Sequence, residues 1–184
     1  MAITSAIRYI SVMLALLSMF CGVQTNEGDD AMAKKNYAVY EAIFLDNDEI
    51  ANLFTSVRGE EPPYATVTQD YHVTTEFMPA QAHAQWYGEQ VKLHITSYAA
   101  QDVQMEDGHT TSNEGFKVEV TCENAELAAF LESLGKNFHI TGSYNDAAKY
   151  TEYVDFSQGK PLDIYVTGTF GGFYSDGKIY SEKQ

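Results

Sequence analysis

Basic residues are scarce in this chain of 184 residues, which has 11 Lys and Arg against 26 Asp and Glu and a formal net charge of −15. A protein that binds a long nucleic acid through its phosphates needs clustered lysines and arginines. The composition therefore excludes that class of partner. A small nucleotide or an RNA end is still compatible with so acidic a chain.

Cysteine is nearly absent, since only Cys21 and Cys122 are present. Two cysteines give no zinc or iron–sulfur spacing, and Cys122 has no partner for a structural disulfide if Cys21 is lipidated or removed. We therefore expect no zinc–thiolate or iron–sulfur site, and we predict no cofactor. Cys122 ends an apolar alternation and is predicted to be a buried core thiol.

Proline is also rare, with four residues, whereas the chain has 13 Tyr and 10 Phe. This combination favours a strand-rich domain. The hydrophobic fraction of 45% is that of an ordinary globular chain with a substantial core. We expect a single domain over residues 37–184, and a monomer.

The sequence has no apolar run long enough to span a bilayer comfortably. Arg8 precedes an apolar run from Tyr9 to Phe20, which is shorter than the roughly 20 residues that a spanning helix needs. Residues 1–22 are predicted to be an export segment and residues 23–36 a polar tether, so the protein is expected in the cell envelope or outside the cytoplasm. The segment before Cys21 resembles a bacterial lipoprotein site with Cys21 lipidated. The alternatives are an ordinary secretory signal and a short uncleaved anchor, and this segment is the one expected contact with a membrane.

Four of the five histidines are followed by a threonine two residues later: His72, His94, His109 and His139. Side chains alternate across a strand, so His72 and Thr74 share one face, and His139 and Thr141 share one face of a later strand. Two such strands at one cavity would bring together two imidazoles for acid–base chemistry and two hydroxyl donors for an oxyanion.

An internal repeat selects two of these four motifs. A strand pattern, an amphipathic helix closed by glycine and a His-x-Thr strand occur in that order twice, at 37–77 and at 116–143. Potential helix N-caps precede each helix, among them Asp46 in the first copy and Asn124 in the second. The repeat therefore assigns the paired site to His72 and His139.

The other histidines lack this context. His94 lies on a predicted strand without a preceding helix, and it is expected to face either solvent or a ligand. His109 lies in a turn-rich loop that extends from Glu106 to Glu114, so we interpret it as solvated. His83 is predicted to lie on a short helix. Four aromatic side chains near the expected groove are candidates for stacking on a base, although each alone is more typical of a core: Tyr64, Tyr144, Phe173 and Tyr174.

The C-terminal third is predicted to be strands. Residues 162–170 alternate well, and Gly171-Gly172 is expected to break this strand, most simply by a bulge. Ser175–Lys178 is predicted to be a hairpin turn that leads into a final strand.

A duplicated strand–helix–strand unit with one His-x-Thr in each half resembles the 2H phosphoesterase superfamily. Within that superfamily the chain resembles the cyclic phosphodiesterase domain of fungal-type tRNA ligases and its small bacterial relatives, over about residues 37 to 180. Further similar stretches are Tyr40–Asp46, Asn113–Phe116 and Gly177–Ile179. The fourth motif position is often apolar in the family, whereas Thr75 and Gly142 occupy it here.

The resemblance implies an α+β fold of two lobes, each an antiparallel sheet with helices on its outer face. It also implies hydrolysis, without a metal, of a cyclic phosphodiester in a 2′,3′-cyclic nucleotide or at an RNA end. His72 and His139 would share the acid and base roles, in an order that the sequence does not assign. Thr74 and Thr141 would donate hydrogen bonds to the phosphate oxygens.

Two other classes of function are compatible with the sequence. The first is an extracytoplasmic ligand-binding lipoprotein that has kept this fold and lost catalysis. The second is an envelope β protein in which the excess of His-x-Thr motifs is accidental.

Overall fold

Eight strands form one antiparallel sheet in the computed structural model, which describes residues 36–145 and 150–182. The strands are Ala38–Phe44 (β1), Thr66–Val67 (β2), His72–Phe77 (β3), Gln90–Gln104 (β4), Thr110–Cys122 (β5), His139–Tyr144 (β6), Lys160–Tyr174 (β7) and Ile179–Tyr180 (β8). The regular structure of the described residues also includes two α-helices, Asn47–Arg58 (α1) and Ala125–Ser133 (α2), and 3₁₀ turns at Ala84–Trp86, Thr151–Tyr153 and Phe156–Gln158. The predictions of an α+β class and of antiparallel strands are confirmed.

The sheet order is β2-β6-β5-β4-β7-β1-β3, with β8 beside β7. Each His-x-Thr strand pairs with the strand that precedes a helix: β3 with β1, where His72 lies opposite Phe44, and β6 with β5, where His139 lies opposite Lys117. The two sheets that we expected are continuous with each other, because β4 pairs with β7 from Gln90 to Tyr98.

Helix α1 begins and ends as its caps predict. The Asp46 side chain accepts a hydrogen bond from the Glu49 amide at 2.9 Å, and Gly59 follows the last turn with φ +99°, which favours glycine. Ile50 and Phe54 are fully buried in the core. Because these two lie four residues apart on one face, α1 packs its apolar side against the sheet.

Helix α2 has the same design. The Asn124 side chain accepts from the amides of Glu126 and Leu127, both at 3.1 Å, and Gly135 has φ +56° just beyond the helix. Leu127 and Leu131 are buried. Both helices therefore follow from local sequence signals.

A buried carboxylate ties α1 to three strands. Glu114 on β5 is fully buried, and Arg58 Nη1 donates to both of its oxygens, at 2.9 and 3.0 Å. The hydroxyls of Tyr98 on β4 and Ser143 on β6 also donate to Glu114, at 2.9 and 2.7 Å. These four hydrogen bonds satisfy the charge inside the core, as a buried carboxylate requires.

The structure corrects three predictions about strands and burial. β5 begins at Thr110, ahead of the predicted start, because pairing with β4 continues as far as Gln104 opposite Thr110. β7 passes through Gly171-Gly172 without a break. A Cβ at Gly172 would clash with the Tyr87 hydroxyl, so close packing explains this glycine. Cys122 is only partly buried.

The predicted export segment, the possible lipidation of Cys21 and nearly all of the predicted tether lie outside the described residues. No helix in the described part of the chain is long and apolar enough to cross a membrane.

Candidate functional site

The strands that carry the two motifs meet at one cavity. β3 and β6 are not neighbours in the sheet order, yet they contact each other. A cavity of about 450 Å³ lies between them. Ten side chains line it: Thr68, Asp70, His72, Thr74, Phe77, Lys136, Asn137, His139, Thr141 and Glu152. All four motif side chains that the repeat selected are among them.

A hydrogen bond and a stacking contact are among the interactions that hold His72. Its Nδ1 lies 2.8 Å from the Asp70 carbonyl oxygen. A carbonyl only accepts, so Nδ1 carries a proton, and Nε2 is the nitrogen that can gain or lose one. The Tyr40 ring stacks on the imidazole with 5.1 Å between centroids.

His139 is held in a similar way. Its Nδ1 donates to the Asn137 carbonyl oxygen at 2.9 Å. Burial lowers the pKa of His139 and Lys136 lowers it further, against the opposing effects of the Asn137 carbonyl and of the Glu152 carboxylate. The lowered pKa favours the neutral form of His139, which is the form that can accept a proton.

Three hydroxyl groups lie at the cavity. The Thr141 Oγ1 shares a hydrogen bond of 2.9 Å with the Thr151 Oγ1, and Thr74 is half-buried on β3. Thr68 is 5% exposed, and its Oγ1 has no hydrogen-bond partner within the described residues. A buried hydroxyl without a partner is costly, so the Thr68 hydroxyl is suited to binding a ligand group.

Three charged side chains in the cavity were missed by sequence reasoning. Asp70 and Lys136 lie in the loops just before the two motif strands, and Glu152 lies in a 3₁₀ turn after β6. The Lys136 ammonium donates to the Thr75 carbonyl at 2.5 Å, which links the loop before β6 to β3. Burial lowers the pKa of Lys136, and Glu76 and Glu152 oppose that shift. The one available sequence signal was the position of Asp70 and Lys136 within three residues of a selected histidine.

Five other side chains that we predicted to lie near a ligand are not among the cavity lining: His94, Tyr64, Tyr144, Phe173 and Tyr174. The His94 ring stacks on Tyr165 and its Nε2 contacts Asp163 at 2.8 Å. The Tyr64 hydroxyl donates to Asp102 at 3.4 Å.

The three remaining aromatic side chains take part in the sheet and its packing. Tyr144 ends β6 and pairs with Thr66 on β2. The Tyr174 ring packs edge-on against Tyr180. Phe173 stacks on Tyr40, which in turn stacks on His72, so Phe173 reaches the site only through a second ring.

One group of three side chains in the described chain has the types and spacing to hold a metal ion: Glu41, Glu76 and His83. None of them lines the cavity. The Glu41 carboxylate already accepts from the His83 amide at 2.6 Å, and it contacts His83 Nδ1 at 2.7 Å and the Tyr87 hydroxyl at 3.0 Å. These contacts place Glu41 and His83 in a hydrogen-bond network inside the protein.

Comparison with protein-family models, with curated proteins and with solved structures gives no match to this chain.

Proposed function

We propose that this protein hydrolyses a cyclic phosphodiester, of the 2′,3′-cyclic nucleotide or RNA-end type, with His72 and His139 as the acid–base pair. The observation that carries the proposal is the presence of both His-x-Thr motifs at a single cavity of about 450 Å³. A cavity of that size accommodates a phosphate with part of a nucleoside. The proposed fold is the duplicated, two-lobed 2H phosphoesterase arrangement, and the matching pairing of β3 with β1 and of β6 with β5 supports it.

The different surroundings of the two rings support opposite roles for them. His139 has a lowered pKa, so its Nε2 takes the proton from a water molecule that attacks phosphorus. A protonated His72 donates from Nε2 to the ribose oxygen as the bond between that oxygen and phosphorus breaks. The proton lost by water and the proton gained by the leaving oxygen balance, and the product is a phosphomonoester with one free hydroxyl.

Neutral donors stabilise the transition state. The hydroxyls of Thr74 and Thr141 lie on the same strands as the two histidines and donate to the nonbridging oxygens, whose charge grows during attack. Because one imidazole can supply the base and the other the acid, this chemistry needs no metal ion.

The test is turnover of adenosine 2′,3′-cyclic phosphate by purified protein in the presence of EDTA. Hydrolysis that persists with EDTA and follows a bell-shaped pH profile supports the proposal. Binding of the cyclic phosphate without turnover would instead indicate the catalytically inactive ligand-binding protein. If the protein neither bound nor hydrolysed any cyclic phosphate, both the enzyme and the ligand-binding protein would be ruled out.

A further inference from the structure

The charges that line the cavity are unusual for a site that binds an anion. Besides the two histidines, the ionisable side chains of the lining are Asp70, Lys136 and Glu152. Lys136 is the one lysine or arginine among the described lining residues. With His72 protonated, as the proposed mechanism requires, two carboxylates face one ammonium and one imidazolium, so the lining carries no net positive charge to attract an anion.

The positive charge of Lys136 is already engaged within the protein. Its ammonium donates to the Thr75 carbonyl, and Glu76 and Glu152 both act on it electrostatically. The rest of the chain also disfavours a bound anion, because the formal net charge of the protein is −15. A bound anion therefore depends on neutral donors, such as the hydroxyls of Thr68, Thr74 and Thr141, more than on a cation.

The substrate and the product of the proposed reaction differ in charge. A phosphodiester carries one negative charge, whereas a phosphomonoester carries about −1.5 to −2 at pH 7 because its second pKa is about 6. Hydroxyl donors bind the two forms similarly. Carboxylates repel each added charge on the ligand; Asp70 and Glu152 are exposed, so solvent moderates this repulsion and salt screens it.

We propose that Asp70 and Glu152 make the cavity selective for monoanionic phosphodiesters over dianionic phosphomonoesters, so that the product is electrostatically repelled from the site that made it. This inference rests on the proposed function and specifies the ligand class of the same cavity. It also predicts little product inhibition, since the monoester binds worse than the diester from which it is formed.

The test compares dissociation constants by isothermal titration calorimetry at low ionic strength and pH 7, in a His139→Ala background that suppresses turnover. The ligands are adenosine 2′,3′-cyclic phosphate and the adenosine 2′- and 3′-monophosphates. We expect the cyclic phosphate to bind at least tenfold more tightly. Glu152→Gln should lower the dissociation constant of the cyclic phosphate about threefold and those of the monophosphates about tenfold, because the repulsion scales with ligand charge.

Glu61→Gln is the matched control, because it removes the same charge from an exposed residue that does not line the cavity. It should change neither affinity. Monophosphates that bind as tightly as the cyclic phosphate, equal gains for both ligands in Glu152→Gln, or no binding of the cyclic phosphate would each overturn the inference.

The outcome separates this inference from the proposed function. If the protein binds the cyclic phosphate more tightly than the monophosphates but the unsubstituted chain does not hydrolyse it, the inference stands and the proposed enzyme activity does not. If the protein hydrolyses the cyclic phosphate but binds the monophosphates as tightly as the substrate, the proposed enzyme activity stands and this inference does not.

Discussion

His72 and His139 make equivalent hydrogen bonds: Nδ1 of each ring donates to the carbonyl oxygen two residues earlier, at 2.8 Å for His72 and 2.9 Å for His139. This shared bond places the exchangeable proton of both rings at Nε2. Their neighbours differ: Tyr40 stacks on His72, whereas burial and Lys136 lower the pKa of His139. Two identically tethered rings in different surroundings are suited to opposite proton-transfer roles.

Replacing either ring should abolish most of the turnover. We expect His72→Ala and His139→Ala each to lower kcat for a cyclic phosphate by about 10²–10⁴-fold, the usual contribution of a general acid or base. The double variant should be little worse than either single variant, because the two groups act in one step. Steady-state kinetics measures both effects.

His94→Ala and His109→Ala are the matched controls, since each also removes a histidine followed by threonine two residues later and neither lines the cavity. Both should keep kcat within about twofold of the unsubstituted protein. A loss in these variants as large as that in His72→Ala would reject the selection of the motif pair.

The acidic side of the pH profile should respond in opposite directions to two substitutions. If neutral His139 is the base, activity falls as the pH drops through its pKa. Lys136 lowers this pKa and Glu152 raises it. Lys136→Met should therefore move the acidic limb of kcat/KM to higher pH, and Glu152→Gln should move it to lower pH. Shifts in the same direction, or none, would assign that limb to another group.

Two buried threonines offer a paired test of stability and function. Thr68 is 5% exposed and Thr75 fully buried, and neither Oγ1 has a hydrogen-bond partner among the described residues. Thr68→Val and Thr75→Val should each raise the free energy of unfolding by about 1 kcal/mol, because each removes an unsatisfied buried hydroxyl. Urea denaturation measures this change.

Only Thr68→Val should also lower kcat/KM, since Thr68 lines the cavity and Thr75 does not. Unchanged kinetics for Thr68→Val would mean that its hydroxyl does not contact the ligand.

The Arg58–Glu114 ion pair should be essential for stability. Arg58→Met leaves the fully buried Glu114 carboxylate without its cation, and we expect a loss of about 3 kcal/mol. Arg58→Met combined with Glu114→Gln should lose less, because no buried charge is then left unpaired. Urea denaturation of the single and double variants measures both values. A single variant with near-normal stability would show that Tyr98 and Ser143 suffice for the carboxylate.

Features set by local sequence were predictable. Helices α1 and α2 follow from side-chain caps at Asp46 and Asn124 and from apolar residues at helical spacing, all of which act within a few residues. The common side of His72 and Thr74 follows from strand alternation in the same way. The internal repeat added one long-range prediction, the choice of the His72 and His139 motifs, and both of these motifs line the same cavity.

Features that depend on contacts between segments distant in sequence were not predictable. Lys136 and Glu152 enter the cavity from a loop and a 3₁₀ turn, and no periodicity indicates where such segments lie. Tyr64 was predicted to stack on a base, but its hydroxyl donates a hydrogen bond to Asp102, which is distant in sequence. The early start of β5 at Thr110 likewise depends on the length of its pairing with β4, and this pairing overrides a local composition typical of turns.

The position of β7 has a consequence for the order in which this chain folds during synthesis. β7 joins the β1–β3 pair to β4, β5 and β6, so residues 160–174 are the seam between the two parts of the sheet. A nascent chain that has emerged only as far as β6 already contains both histidine motifs, but it lacks the strand that holds them across from each other. Such sequence-distant pairing forms slowly, and the cavity between the two histidine motifs should therefore form late, after the ribosome has released most of the domain.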